Sequence, residues 1–245
     1  MKNVKLLAMA ALAMALMASG AWAQTQLDSV TIETKVEAGK VTAIDGGKVY
    51  LSGVDIHGGS SIGDGNLEVT SKTEAGSVTA NGQGAEVNLA SLLLHEGSTI
   101  GSIDGPLEMD VKVGDVTAHQ GAKINVGGIH LNGSEITGAL KVNGPIKAET
   151  GNLIAHEGAE LGVASLLMDD STAENININK MEAYLQDVTV EEGGQAYFST
   201  LNMANGAEVG TVNFSGYSEV RSNINVPSGA MLNVASAVFD GAQVG

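Results

Sequence analysis

The sequence predicts an all-β fold, a single parallel β-solenoid (β-helix), and three observations support this. Six copies of one segment recur about every 37 residues, short stretches alternate apolar and polar side chains, and glycines punctuate the segments. One segment cannot bury its own apolar row, so stacked segments are needed to build a core of aliphatic ladders. We therefore expect one solenoid domain over residues 39–245.

The repeat is defined by its starting positions and by an aliphatic-x-Ala core in the first four copies, whereas the last two copies are degenerate and have Val in place of Ala. The six copies begin, at intervals of 37, 38, 37, 35 and 36 residues, at Gly39, Gly76, Gly114, Gly151, Gln186 and Ser222. A shorter unit, Gly-small-x-aliphatic, lies inside each copy, as at Gly121 and again at Gly133. Glycine and the small residues beside it suit tight corners.

The shorter unit bears on the length of one coil. We expect about 18 residues per coil, which gives roughly twelve coils and a rod of about 60 Å at the spacing of β-strands. One coil of about 36 residues per repeat is the alternative. An antiparallel β-sandwich is the competing fold, although a sandwich does not require equivalent positions every 37 residues.

Composition excludes several classes of protein. The chain has 245 residues, no Cys, 43% hydrophobic residues and a formal net charge of −16 with a single Arg. This apolar content is too high for a disordered chain, and the absence of Cys excludes disulfide, Cys-zinc and iron–sulfur scaffolds. The negative charge argues against nucleic-acid binding, which needs clustered cations.

Residues 1–23 resemble a secretory signal peptide. Lys2 and Lys5 precede an apolar run, and Ala21-Trp22-Ala23 offers small residues for cleavage before Gln24. Loss of these two Lys would change the net charge from −16 to −18. We expect an exported protein, extracellular, on the cell surface or periplasmic, with no membrane span after cleavage. Residues 24–38 are expected to form an N-terminal cap or lead-in segment.

Four of the five histidines occupy one slot of the shorter unit and would stack in a solenoid. They are His57, His95, His119 and His156. Stacked imidazoles suggest a weak alternative, a site for Zn, Cu or Ni in a periplasmic metal-binding repeat module. Duplication of a solvated corner residue explains the same positions, so no metal or other cofactor is expected.

No catalytic residues stand out, and we expect a protein that is not an enzyme. The scattered carboxylates could serve a polysaccharide-binding or polysaccharide-cleaving β-helix. Aromatic platforms for sugars are scarce, however, and Arg221 is the only Arg that could neutralise a uronate.

The ends of a solenoid are candidates for self-association, because a terminal coil exposes unpaired backbone groups. The chain stops in mid-repeat, without an obvious cap. If the last coil of one subunit pairs with the first coil of the next, the contact does not close and produces a fibre. Self-association is therefore the expected partnership, together with a surface glycan or a host or matrix surface.

Two segments carry a resemblance to a known family. Gly114-Asp-Val-Thr-Ala-His-Gln-Gly-Ala-Lys-Ile-Asn-Val and Gly151-Asn-Leu-Ile-Ala-His-Glu-Gly-Ala-Glu-Leu resemble the repeats of filamentous-haemagglutinin-like β-solenoid adhesins. The resemblance extends over most of residues 39–245. It implies an adhesive role at the bacterial surface, in biofilm or host attachment, and no catalytic residues.

Overall fold

The chain is an all-β solenoid, as the repeats predict. A computed structural model describes residues 26–27, 30–56, 60–95, 97–103 and 105–244, and the predicted leader, residues 1–23, lies outside them. The described strands pair in parallel with strands of neighbouring coils and form about six coils. Since this part of the chain contains no helix, it holds no helical segment long and apolar enough to span a membrane.

Each coil runs through a long strand and several shorter ones. The first two coils contain β1 (Gln26–Leu27), β2 (Val30–Ala38), β3 (Val41–Ile44), β4 (Lys48–Leu51), β5 (Val54–Ile56), β6 (Ser61–Ala75), β7 (Val78–Asn81) and β8 (Glu86–His95). The next two contain β9 (Thr99–Ser102), β10 (Leu107–Val113), β11 (Val116–His119), β12 (Lys123–Asn132), β13 (Glu135–Glu149), β14 (Leu153–Ala155), β15 (Glu160–Val163) and β16 (Leu166–Asp169). The last two contain β17 (Thr172–Val190), β18 (Gln195–Phe198), β19 (Leu201–Ala204), β20 (Glu208–Asn225), β21 (Met231–Val234) and β22 (Ala237–Asp240), and β23 (Gln243–Val244) follows.

The strand register fixes the length of a coil. Val41 lies opposite Val78, Val78 opposite Val116, Val116 opposite Leu153, and Leu153 opposite Val188. One coil therefore equals one long repeat, and the expectation of about 18 residues per coil is wrong. Six coils at the strand spacing make a rod about 29 Å long, not about 60 Å.

The shorter unit recurs within a coil because it marks successive corners. Gly121 precedes β12 and Gly133 follows it, so both lie in the third coil, and both have a positive φ, of 75° and 60°. Glycine at two corners of the same coil imitates the spacing of a shorter repeat. The alternation of side chains thus indicates the strands correctly, whereas the shorter unit marks corners rather than coils.

The first coil begins before Gly39. Strand β2 pairs with β6 residue by residue, from Val30 opposite Leu67 to Ala38 opposite Ala75. The segment 24–38, predicted as a cap or lead-in, thus contains the long strand of the first coil.

The core consists of ladders in which apolar side chains, mostly aliphatic, recur at equivalent inner positions of successive coils. Ala80, Ala118 and Ala155 stack in one column and are each fully buried. Other columns hold larger aliphatic side chains, and Phe198 is the largest fully buried side chain of the described residues. Full burial of a Val, Leu or Ile side chain stabilises a fold by about 1.5–3 kcal/mol, so these ladders hold the coils together.

One corner of the coil is built from residues in the left-handed conformation. These equivalent positions, with φ between 45° and 60°, are Ser52, Ala90, Gly127, Ala164, Ser199 and Ala235. Such a conformation costs a non-glycine residue on the order of 1–3 kcal/mol. It is maintained because the corner packs against the core: Ala90 and Ala164 are fully buried. We call this column the left-handed corner.

Candidate functional site

Two adjacent columns of side chains on the outer side of the long strands carry five of the chain's twelve basic residues, and we name them the charged face. Its first column, from the first coil to the sixth, is Lys35, Lys72, Asp110, Lys147, Glu182 and Glu219. Its second column is Glu37, Glu74, Lys112, Glu149, Tyr184 and Arg221. The face sums to a formal charge of −1, against −16 for the chain, so nearly all of the acidic excess lies elsewhere.

Ion pairs join the two columns within a coil. Lys147 Nζ lies 2.6 Å from Glu149 Oε1, and Arg221 Nε lies 2.6 Å from Glu219 Oε1. Equivalent pairs occur in the first two coils, at 2.8 Å and 3.4 Å. Because these side chains are partly to largely exposed, each pair contributes little to stability. The pairs therefore give the face a defined pattern of charge and add little to the stability of the fold.

Tyr184 is the centre of a polar cluster on the charged face. Its ring lies 5.6 Å from Lys147 Nζ and 5.6 Å from the guanidinium carbon of Arg221. Its hydroxyl donates to Glu182 Oε1 at 2.7 Å, and this hydrogen bond raises the pKa of Tyr184 to about 12. Burial would raise the pKa of Glu182, but hydrogen bonds from Tyr184 and Lys180 outweigh it, and that pKa is lowered.

The cluster around Tyr184 was not predicted from the sequence. The chain's only Arg, two Lys, two Glu and a Tyr line one shallow depression, together with Pro145. The aromatic ring is contacted by cations rather than left open for a sugar. A signal was present, since a basic and an acidic residue two positions apart precede several of the repeat starts, as in Lys35–Glu37 and Lys147–Glu149.

A second feature lies on the outer side of the left-handed corner, and we call it the corner groove. Residues from both sides of the corner line it: Ser91, Leu93, Asn125, Gly128, Ile129, His130, Ser165 and Leu167. Leu93 points away from the core, since Leu92 and Leu94 point into it, yet only 1% of it is exposed. The bend thus encloses a small cluster outside the core.

His130 lies in the corner groove between Leu93 and Leu167 of the adjacent coils. Burial lowers its pKa, and nearby His95 and Lys123 act in the same direction, whereas Glu160 and Glu86 oppose them. The unfolded chain therefore binds a proton at this residue more readily than the folded chain. This contribution to stability is present above the ordinary pKa of 6.5 and is lost as the pH falls below it.

We expect His130→Leu, which continues the Leu93–Leu167 row, to raise the melting temperature more at pH 5 than at pH 8. Thermal unfolding followed by circular dichroism measures this. Asn202→Leu is the matched control, because Asn202 occupies the same column opposite Leu167 and does not titrate. An identical gain at both pH values for His130→Leu would contradict the assignment.

The predicted stacking of His119 and His156 is present. Their ring centroids are 4.0 Å apart and the ring planes are inclined by 10°. His156 Nδ1 lies 2.6 Å from Glu191 Oε2 of the next coil. Burial and the proximity of His156 lower the pKa of His119. The nitrogen lone pairs lie in the ring planes, so nearly parallel rings do not direct them at one ion.

The remaining histidines are arranged differently from the prediction. His57 lies outside the described residues. His95 contacts His130, with centroids 6.0 Å apart, although the sequence places His130 out of register. Asn132 is the direct neighbour of His95. Within the described ranges no group of three or more His, Cys, Asp or Glu side chains is placed to hold a metal ion. The two histidine pairs lie apart, since His119 is in β11 of one sheet, whereas His95 and His130 are in β8 and β12 of the other.

The last coil exposes side chains of the inner rows. Phe214 lies opposite the buried Ile178, and Phe239 lies opposite the buried Met203, so both belong to core columns. They are nevertheless 41% and 48% exposed. Leu232 and Val234 continue two further core columns and are only partly buried. The final described coil therefore presents apolar ladder positions that no described residue covers.

Comparison with protein-family models, with curated proteins and with solved structures finds no significant match for this chain.

Proposed function

We propose that the chain is an exported bacterial surface protein with a structural or adhesive role, which assembles end to end into fibres. One observation carries the proposal: the inner rows of the last described coil, including Phe239 at 48% exposure, are uncovered. Contiguous exposed apolar side chains mark interaction sites in water-soluble proteins. The predicted leader and the resemblance to adhesin repeats supply the expectation of export and of a surface role.

The first coil of a second copy fits this end, because the columns of the solenoid continue across it. The column that ends at Leu232 in the last coil begins at Val49 in the first coil, and the column that ends at Val234 begins at Leu51. The column that ends at Phe239 begins at Ile56. Each of these first-coil residues is aliphatic and only partly buried. A second copy stacked in register would therefore extend apolar rows that already exist.

The test uses the full chain expressed with its own leader and purified from the exported fraction. We expect particles whose mass grows with concentration in sedimentation velocity and whose length grows in electron micrographs. Phe239→Asp places a carboxylate in the contact and should raise the concentration needed for growth at least about tenfold. Ile154→Asp is the matched control, because Ile154 lies in the fourth coil between Thr117 and Thr189, away from the end, and is partly exposed.

Three results would contradict the proposal. Retention of the chain in the cytosol, with residues 1–23 uncleaved, would remove the export step. A wild-type particle of constant mass across the concentration series would remove the assembly step, whatever the location. Equal effects of Phe239→Asp and Ile154→Asp would show that the end is not the contact.

A second candidate function is binding or cleavage of an acidic polysaccharide at the depression around Tyr184. The observation that favours it is the clustering of Arg221, Lys147 and Lys180 with Glu182 on one surface. Incubation with polygalacturonate separates the two roles, since binding without product indicates an adhesin and product indicates an enzyme. Arg221→Ala should abolish either signal, while Lys40→Ala, at an exposed position, should leave it unchanged.

A further inference from the structure

We propose that the charged face is a self-complementary interface, on which a second copy lies face to face with its rod running in the opposite direction. The interface uses the side of the solenoid rather than its end. It is therefore independent of end-to-end growth and can exist with or without it.

The charges of the first column follow an order along the rod that inverts when the rod is turned end for end. From the first coil to the sixth, the first column reads plus, plus, minus, plus, minus, minus. Reversing that order changes every sign. A two-fold axis parallel to the long strands, passing between the third and fourth coils, performs this reversal. It exchanges coils one and six, two and five, and three and four, and leaves each column facing itself.

The charged pairs that this rotation creates are all of opposite sign. In the first column Lys35 faces Glu219, Lys72 faces Glu182, and Asp110 faces Lys147. In the second column Glu37 faces Arg221 and Lys112 faces Glu149. Glu74 faces Tyr184. Each pair forms twice because the contact is symmetric. None of the five charged pairs brings like charges together, and complementarity of this kind fixes the orientation of partners.

A parallel pair of rods is the arrangement to exclude. If coil faced the same coil with the columns exchanged, Lys35 would meet Glu37 and Lys147 would meet Glu149, also with opposite signs. That pattern already has a cause inside one chain, because these residues are ion-paired within their coils. Contacts inside the chain do not explain why, in the first column, the last two coils carry the sign opposite to that of the first two. The antiparallel arrangement explains that order.

The charged face and the strand residues that flank it form a surface large enough for a stable contact. Six coils by about seven residues of strand measure about 29 Å by about 23 Å. This surface is thus roughly 700 Å² per copy and about 1,400 Å² in total, inside the usual range of about 1,200–2,000 Å² for specific complexes. The charged face also has a low net charge, whereas the rest of the chain is acidic. This is therefore the side on which two copies repel each other least.

The test mixes two charge reversals at the centre of the face. In a Phe239→Asp background, which removes growth at the end, we expect a dimer in sedimentation equilibrium that weakens as NaCl rises. Asp110→Lys and Lys147→Glu should each be monomeric, because each places two like-charged pairs at the centre. An equimolar mixture of the two variants should dimerise again, since the lysine introduced in one chain then faces the glutamate introduced in the other. We expect the mixture to recover at least about tenfold in affinity.

Two control variants match these changes in charge on other surfaces. Lys123→Glu and Glu174→Lys should leave the dimer intact, and circular dichroism should show that every variant keeps its β-structure. In the parallel arrangement the mixture would stay monomeric, because the lysine introduced by Asp110→Lys would meet Lys112. A monomeric mixture would therefore overturn the proposal, as would a monomeric parent protein at about 1 mM. Loss of the dimer in both control variants would also overturn it, because total charge rather than this face would then control association.

Discussion

Truncation of Phe198 to Ala should lower the free energy of unfolding by about 3–5 kcal/mol, the usual cost of removing a buried aromatic side chain. Phe198 is fully buried in the fifth coil and stacks between Val163 and Val234. Its neighbours are tied to ladders on both sides, so the cavity cannot collapse without moving two coils. Chemical denaturation followed by circular dichroism measures the loss.

Phe214→Ala provides the matched control. The residue removed is identical, but Phe214 lies on the last coil and is 41% exposed. Less apolar area returns to water and no closed cavity forms, so we expect a loss of about 1 kcal/mol. Similar losses for the two variants would mean that the ladder around Phe198 is not the closed core described above.

The second large effect is expected from Asn125→Asp in the corner groove. Asn125 Nδ2 donates to Asn88 Oδ1 at 2.7 Å, and Asn88 Nδ2 donates to Glu86 Oε1 at 2.6 Å. Both Asn side chains are buried. The substitution keeps the shape of the side chain but replaces the donor amide of Asn125 by a carboxylate oxygen, which then faces Asn88 Oδ1. We expect a loss of about 2–3 kcal/mol at pH 7, since a buried acceptor is left unpaired and a charge is desolvated.

The pH dependence of Asn125→Asp distinguishes this cause from a packing defect. A protonated carboxyl can donate to Asn88 Oδ1, so the difference from the parent protein should shrink as the pH is lowered toward 4. Asn213→Asp, at an exposed position opposite Asn177, should change stability little at any pH. A loss at Asn125 that is constant with pH would argue against the proposed hydrogen-bond ladder.

The parallel solenoid and the six-fold repeat could be predicted because they depend on periodicity, which a sequence displays directly. The length of the coil could not, since glycines at several corners of one coil look like starts of a shorter unit. The left-handed corner was also hidden. Five of its six residues are Ala or Ser, among them Ala90 and Ala164, and these residues rarely adopt a positive φ. Only packing in the core holds them there.

For the candidate site, contacts between equivalent positions of successive repeats could be predicted from the sequence. Contacts between non-equivalent positions on adjacent strands could not. The stacking of His119 on His156 follows from their spacing of 37 residues. The contact of His95 with His130 does not, because it joins neighbours two positions out of register on adjacent strands. The cluster around Tyr184 needed knowledge of the outer columns of the long strands, and these emerge only when the correct coil length is known.

The pairing of each strand only with adjacent coils has a consequence for how the rod comes apart. Strand β18 bonds to β15 and β21, and β19 bonds to β16 and β22, with no described strand bridging distant coils. Cohesion is thus a nearest-neighbour property, as in a one-dimensional chain of units. Fraying should start at the loosely covered sixth coil and advance by whole turns. A protease should therefore shorten the molecule in steps of one coil, releasing a ladder of fragments.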